Sequence, residues 1–170
     1  MKKITTIISK ILGVILIVLM ALMVLDVTWQ VLTRFILKNP SAFTEELAGF
    51  LLIWIGLLGA SYAFYTKAHL GIDVLTYKLT GLKKQVVEIL INVIVLGFAF
   101  FVMVVGGMRL VNITFTLKQI SPALGIDMGY IYLVIPIAGI LVIYFAIYFI
   151  VEAVQTKPSE LVEHKVSAVD

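Results

Sequence analysis

The sequence predicts an all-α membrane protein with four transmembrane helices, an interfacial amphipathic helix between the second and third, and both termini in the cytoplasm. Three observations predict this. The chain is 62% hydrophobic and only 14% charged, whereas soluble domains are about a quarter charged. Four apolar segments are each long enough to cross a hydrocarbon core of ~30 Å, which takes about 20 residues of α-helix. Lysine and arginine are unevenly divided between the two sides of these segments.

The four helices are expected at about 11–33, 43–66, 86–110 and 129–151. They form one transmembrane domain, 1–152, followed by a polar cytoplasmic tail, 153–170. The first apolar segment is too long for the core of a secretory signal, and no A-x-A-like cleavage site follows it. We therefore expect it to be retained as the first membrane helix.

Orientation follows from the distribution of positive charge. With the amino terminus inside, nine lysines lie on the inner side and four cations on the outer side. Because cytoplasmic segments carry the excess of Lys and Arg, this count predicts that both termini are inside. The inner residues are Lys2, Lys3, Lys10, Lys67, Lys78, Lys83, Lys84, Lys157 and Lys165, and the outer ones are Arg34, Lys38, Arg109 and Lys118.

The composition also limits the chemistry. The chain has no cysteine, which excludes disulfides, thiolate chemistry and cysteine-ligated metal. We find no nucleophile with a base, no histidine pair and no glycine-rich phosphate loop, so we expect neither an enzyme nor a bound cofactor or metal. No basic tract with interleaved aromatics indicates nucleic acid.

The first helix carries an acid, Asp26, deep in its apolar run. Asp26, Gln30 and Arg34 are spaced four residues apart, which predicts a polar stripe on the outer half of the helix. Asp26 is either a proton or ion site or a structural acid that a neighbour satisfies. The structural role is favoured because no second intramembrane carboxylate completes a relay.

Two adjacent acids, Glu45 and Glu46, lie in the first turn of the second helix, where the helix dipole favours negative charge. They are level with Arg34 and Lys38, so we expect Arg34 to pair with Glu45 or Glu46 and fix the first two helices together. Paired carboxylates also serve acid–base chemistry, but no nucleophile or metal ligand accompanies them.

Small residues follow on one face of the same helix: Gly49, Gly56, Ala60 and Ala63. Such residues let another helix approach closely, which is how helices associate in lipid. This face is the predicted packing surface for a partner helix.

A polar cluster, Lys67, His69 and Asp73, closes the second helix. The segment after it, about 73–82, has apolar residues on one face and predicts a helix lying on the inner membrane surface. Lys78, Lys83 and Lys84 point toward acidic lipid headgroups. His69, the one histidine of this cluster, is expected to be a hydrogen-bonding loop residue.

The third helix begins with Lys84, Glu88 and Asn92 one turn apart, a ladder that can be satisfied locally. Pro136 and Gly139 near the start of the fourth helix predict a kink.

The order Arg34, Pro40, Glu45-Glu46-Leu47, Trp54, Leu58-Gly59-Ala60 and His69-Leu70-Gly71-Ile72-Asp73 resembles the small membrane subunit, the DctQ-like family, of tripartite ATP-independent periplasmic (TRAP) transporters. The later runs 121–126 and 132–136 are similar to that family's entry into its last helix. The resemblance covers roughly 12–152.

The resemblance implies a sodium-driven transporter for organic acids, such as sialic acid or C4-dicarboxylates, in the bacterial inner membrane. A periplasmic protein would capture the substrate, and a large membrane subunit would carry it with sodium ions in an elevator motion. This chain would brace the large subunit as static scaffold and help dock the periplasmic protein. Trp54 and Gly59 join the expected contacts on this basis.

Two other functions stay open from the residues. One is a small proton-coupled exporter that uses Asp26, and the other is a membrane anchor of an unrelated complex. An exporter would place Asp26 in a water-filled cavity.

Overall fold

The structure is a computed structural model, and it describes residues 2–39, 41–67 and 82–155. Four helices in it are long and apolar enough to cross a membrane. They are α1 (Lys2–Phe35), α2 (Ala42–Tyr65), α3 (Leu82–Thr116) and α4 (Met128–Gln155). The predicted all-α fold with four membrane helices is therefore confirmed.

Both α1 and α3 extend beyond the ranges that hydropathy predicted, because polar residues at their ends continue the helix. The interfacial helix expected at about 73–82 lies almost wholly outside the described residues, since only its last residue begins α3. Of the predicted tail, 153–155 form the end of α4, and 156–170 lie outside the described residues.

The helices pack as a row rather than in chain order. α1 packs against α2, α2 against α4, and α4 against α3. The row is thus ordered 1-2-4-3, with α2 and α4 in the middle. α4 is the most enclosed of the four helices and α3 the least.

α1 meets α2 through a regular stripe. Its buried and half-buried positions alternate at spacings of three and four, the repeat of left-handed helix pairs. A Cβ added at Gly13 would lie 3.5 Å from Tyr62, and one added at Gly59 would lie 3.9 Å from Leu16. The stripe consists of Thr5, Ser9, Leu12, Leu16, Leu19, Met23, Asp26, Gln30 and Thr33.

α4 is interrupted near its start, as Pro136 and Gly139 predicted. Its helical runs are Met128–Tyr132 and Val134–Gln155, with the break at Leu133. Proline has no N–H to donate to the carbonyl four residues earlier, so the preceding turn loses a hydrogen bond. The break therefore falls within one turn of Pro136.

α3 changes its helical geometry in the middle. An α-helix from Leu82 to Phe98 passes into a π-helix over Ala99–Gly106 and returns to an α-helix over Gly107–Thr116. Ala99, Met103 and Gly107 all face α4. A Cβ added at Gly139 would lie 2.8 Å from Met103 and 3.3 Å from the Ala99 carbonyl, and one added at Gly107 would lie 2.9 Å from Ile135.

Candidate partner-binding surface

The small-residue face of α2 is open in the structure. Gly49, Gly56 and Ala60 are exposed and Ala63 is half-buried. A Cβ added at Gly49 or Gly56 would meet no heavy atom within 4 Å. We call the set Glu45, Gly49, Leu52, Gly56, Ala60 and Ala63 the α2 stripe.

The α2 stripe has the properties of a helix-packing surface. Its residues share one helical face, and its low relief lets a second backbone approach closely. Leu52, the one large apolar side chain in it, is 58% exposed. The described part of the chain, residues 2–39, 41–67 and 82–155, therefore leaves the stripe uncovered for a helix from another protein.

Other faces of α2 are used within the chain. Leu58, Ser61 and Phe64 are buried, and the Ser61 hydroxyl donates to the carbonyl of Leu57 at 3.0 Å. Gly59, expected at a helix contact, lies against α1 at Leu16.

Trp54 lines a cavity of about 250 Å³ where α1, α2 and α4 meet. This cavity does not include Asp26, and its lining is aliphatic apart from the indole of Trp54. The other lining residues are Ile8, Ile11, Leu12, Ile15, Leu58, Ile137 and Leu141.

Glu46 is hydrogen-bonded to the connection between α3 and α4, residues 117–127, which we call the hairpin. One carboxylate oxygen, Oε2, accepts hydrogen bonds from the backbone N–H of Ala123 at 2.8 Å and of Leu124 at 3.1 Å. The Ser121 hydroxyl also hydrogen-bonds to Glu46, and Ser121 is 1% exposed. We call this arrangement the Glu46 clasp, and it ties the start of α2 to the hairpin.

The hairpin is shaped to present these donors. Ser121 N–H donates to the Ile126 carbonyl, and Gly125 N–H donates back to the Ser121 carbonyl, both at 2.9 Å. Gly125 has a φ of 68°, a left-handed conformation that glycine adopts without steric cost. The resulting turn points two successive N–H groups at one anion.

The predicted pairing of Arg34 with Glu45 or Glu46 does not form. Among residues 2–39, 41–67 and 82–155, the one ion pair joins Lys84 to Glu88. Glu46 binds the hairpin instead, because backbone donors reach it at hydrogen-bond distance. Arg34 and Glu45 are exposed, and Glu45 ends the α2 stripe.

Asp26, Gln30 and Arg34 do not share one environment. Asp26 is 9% exposed, Gln30 is half-buried, and Arg34 is exposed. Four residues overshoot a 3.6-residue turn, so each step rotates the side chain by about 40°. The predicted stripe therefore turns out of the α1–α2 contact toward its outer end.

Asp26 is the unusual group of this surface. Its Oδ2 atom is buried and has no hydrogen-bond partner. An acid inside a membrane helix costs ~2.5–3.5 kcal/mol on insertion scales, so such residues normally have a partner.

The opposite end of α2 carries Lys67, whose Nζ lies 5.0 Å from the ring centroid of Phe149. This is a cation–π contact, and it anchors the end of α2 to α4. The other members of the predicted polar cluster, His69 and Asp73, and the predicted headgroup residue Lys78 lie outside the described residues.

The start of α3 matches the predicted ladder. Lys84 Nζ lies 3.9 Å from the Glu88 carboxylate, and Asn92 Nδ2 donates to the Glu88 carbonyl at 2.8 Å. Lys83 is exposed. Contact of Lys83 and Lys84 with lipid headgroups stays a prediction.

Sequence reasoning missed the hairpin residues Ser121, Ala123 and Leu124 as partners of Glu46. Their donors are mostly backbone groups, which leave no side-chain signature. The available signal was the turn pattern Ser-Pro-x-x-Gly, since such turns expose consecutive N–H groups.

Comparison with known protein families identifies the family of this chain. The sequence of residues 23–156 matches the family described as tripartite ATP-independent periplasmic transporters, DctQ component. The chain belongs to the DctQ family.

Two relatives of this DctQ protein are named as small permease proteins of TRAP transporters. It is 28% identical over 142 residues to a putative TRAP transporter small permease protein of Haemophilus influenzae, covering 84% of this chain and 86% of the relative. It is 35% identical over 79 residues to the sialic acid TRAP transporter small permease protein SiaQ of Vibrio cholerae, covering 46% of each chain.

A third relative is much longer than this chain. The sialic acid TRAP transporter permease protein SiaT of Haemophilus influenzae is 29% identical over 120 residues, which is 68% of this chain but 18% of SiaT. The DctQ-like segment is therefore a minor part of SiaT.

Proposed function

We propose that this chain is the small membrane subunit of a sodium-driven TRAP transporter for organic acids, and that it braces the large transport subunit as part of the static scaffold of an elevator-type carrier. The observation that carries the proposal is the open α2 stripe. Gly49 and Gly56 have free space around them in this chain, and a partner helix fills such space in a complex.

The row of helices suits a brace. A row leaves the middle helices α2 and α4 with side surfaces that the other described helices do not cover. The cavity between α1, α2 and α4 is lined by apolar side chains. Substrate and sodium ions are proposed to bind in the large subunit.

The substrate proposed first is sialic acid, because two of the relatives are named for it. C4-dicarboxylate-like acids are the second substrate class. The protein is assigned to the bacterial inner membrane with both termini inside, which puts the Glu46 end in the periplasm.

The hairpin at the Glu46 end is proposed to help dock the periplasmic substrate-binding protein. Leu117, Ile120 and Ile126 on this hairpin are 43–62% exposed, and Tyr130 beyond it is 56% exposed. The Glu46 clasp holds the hairpin tip in one conformation, which lowers the entropy cost of binding a second protein.

Reconstitution tests the subunit role. Vesicles containing the large subunit, with substrate-binding protein and sialic acid outside, are given an inward sodium gradient with and without this chain. We expect uptake only when the chain is present. Undiminished uptake without it would refute the proposal.

The stripe is tested by Gly56→Leu, with Gly97→Leu as matched control. A Cβ at either glycine meets no heavy atom within 4 Å, so neither change should clash inside the chain. We expect Gly56→Leu to weaken co-purification with the large subunit and Gly97→Leu to leave it intact. Equal behaviour of the two variants would count against the α2 stripe as the contact.

A further inference from the structure

Asp26 differs from every other buried polar side chain of the described residues. Its Oδ2 is the one buried side-chain oxygen or nitrogen there without a hydrogen-bond partner. The others are bonded within the chain, most of them to a backbone carbonyl three or four residues earlier. They are Thr5, Ser9, Thr33, Thr44, Ser61, Thr114 and Ser121.

We propose that Asp26 is the acceptor for a hydrogen-bond donor on a transmembrane helix of the large subunit. The inference rests on the proposed function, because that function supplies the partner. The donor is a hydroxyl, amide, lysine or arginine side chain, since each of these groups carries an N–H or O–H that a carboxyl oxygen accepts.

The position of Asp26 on α1 supports this. One flank, formed by Met23 and Gln30, is half-buried. The other flank, formed by Leu22 and Trp29, is 49% and 55% exposed. Asp26 therefore lies at the edge of the α1–α2 contact, next to a surface that no described part of the chain covers. Its Oδ2 is enclosed by this chain, so the external donor reaches it after the carboxylate turns toward that surface.

Measured along the axes of α1 and α2, Asp26 also lies level with the outer part of the α2 stripe. Gly13 packs against Tyr62 and Leu16 against Gly59, which defines an antiparallel register. Continued along α1, this register brings Asp26 level with Gly49, the outer glycine of the stripe. A helix lying along the stripe therefore passes the height of Asp26.

The chemistry explains why an external donor is needed. An acid without a donor is unfavourable where water is scarce. Asp26 is too short to reach a distant group, and its own helix has no free N–H at mid-helix to offer. A partner helix supplies the missing donor when the complex forms.

The test compares Asp26→Leu and Asp26→Asn, each alone in detergent and with the large subunit. Leucine removes the acceptor, while asparagine keeps one acceptor oxygen. We expect Asp26→Leu to weaken binding of the large subunit about 3- to 16-fold, the range measured for one interhelical hydrogen bond in a membrane protein. Asp26→Asn should bind within a few-fold of the wild type.

The chain alone should respond in the opposite direction. Because Asp26→Leu removes an unpaired buried acid, the isolated variant should melt at or above the wild-type temperature. Thr33→Val is the matched control, since the Thr33 hydroxyl donates to the Gln30 carbonyl of its own helix at 2.9 Å. Thr33→Val should leave binding unchanged.

The outcomes separate the two proposals. If the wild-type chain binds the large subunit and Asp26→Leu binds equally well, the role of Asp26 is refuted and the proposed function stands. If Asp26→Leu lowers the melting temperature of the isolated chain, Asp26 is satisfied internally and the inference is also refuted. If the wild-type chain fails to bind the large subunit, the proposed function fails and the inference fails with it.

Discussion

Two groups of glycines in this chain are used in opposite ways. Between α3 and α4, a Cβ added at Gly139 would lie 2.8 Å from the Cβ of Met103, and one added at Gly129 would lie 2.7 Å from the Phe115 ring. On α2, a Cβ at Gly49 or Gly56 would touch nothing within 4 Å. The first group is already packed, and the second is open.

The difference separates glycines that serve the fold of this chain from glycines that are free to serve a partner. A small residue in a membrane helix lets another backbone come close. α3 and α4 have made that approach to each other, so their glycines stabilise the fold of this chain. The glycines of α2 have not, and they share one face with Ala60 and Ala63, which is why we propose an interface there.

The largest expected effect comes from filling a packed glycine. Gly139→Ala places a methyl group 2.8 Å from Met103 and 3.3 Å from the backbone carbonyl of Ala99. Overpacking of this kind costs about 1–3 kcal/mol. We expect a clear drop in the melting temperature of the purified chain.

Gly56→Ala is the control for this comparison. Its new methyl group enters open space, so the isolated chain should keep its stability within about 0.5 kcal/mol. Equal destabilisation by the two variants would remove the distinction between packed and open glycines.

An intermediate effect is expected at the Glu46 clasp. Glu46→Ala removes the acceptor of the Ala123 and Leu124 N–H groups. Hydrogen exchange at the Ala123 amide should become faster, because its N–H is released to water. The Leu124 N–H keeps the Ser121 hydroxyl as an acceptor at 3.1 Å, so its exchange should change less. Glu45→Ala, which removes an exposed acid one residue away, should leave their exchange unchanged.

The same clasp predicts the failure of a charge swap. The double variant Arg34→Glu with Glu46→Arg should not restore slow exchange, because the groups that bind Glu46 are backbone amides and the Ser121 hydroxyl. Restored protection in the double variant would instead support an Arg34–Glu46 pair.

The smallest effect is expected where α1 touches α4. The hydroxyls of Thr5 and Tyr144 lie 3.1 Å apart and join the two helices beside the apolar cavity. Interhelical hydrogen bonds in membrane proteins average ≈ 0.6 kcal/mol in double-mutant cycles. A cycle of Thr5→Val and Tyr144→Phe should give a coupling of about this size, and additive effects would show that the bond contributes nothing.

Hydropathy was sufficient to predict the four helices, because about 20 consecutive apolar residues have few alternatives to a membrane helix. It was not sufficient to predict their order in the row. Lipid and protein are equally apolar neighbours, so a leucine facing α4 and one facing lipid give the same signal. The π segment of α3 was missed for a similar reason, since Ala99–Gly106 has no residue that marks it.

The contact partners of the charged residues were harder to predict from the sequence. The sequence placed Glu46 correctly at the start of α2 but paired it with the wrong partner, because side-chain charge is visible in a sequence and backbone N–H orientation is not. The Lys84–Glu88 pair was predictable because both residues belong to one helix, whose geometry fixes their separation. The spacing of the small residues predicted that the α2 stripe is one helical face. Only the three-dimensional structure shows that the described residues leave this face uncovered.

The order of the helices in the row has a consequence for biosynthesis. A chain is made from its amino terminus, so α1 and α2 can join as soon as both have entered the bilayer. α3 enters next, yet the helix it packs against, α4, has not been synthesised. During that interval α3 lacks the one described helix that it packs against. Its apolar runs, Val93-Ile94-Val95-Leu96 and Phe100-Phe101-Val102, are compatible with lipid as the neighbour. Synthesis of α4 then joins α3 to α2 and completes the row.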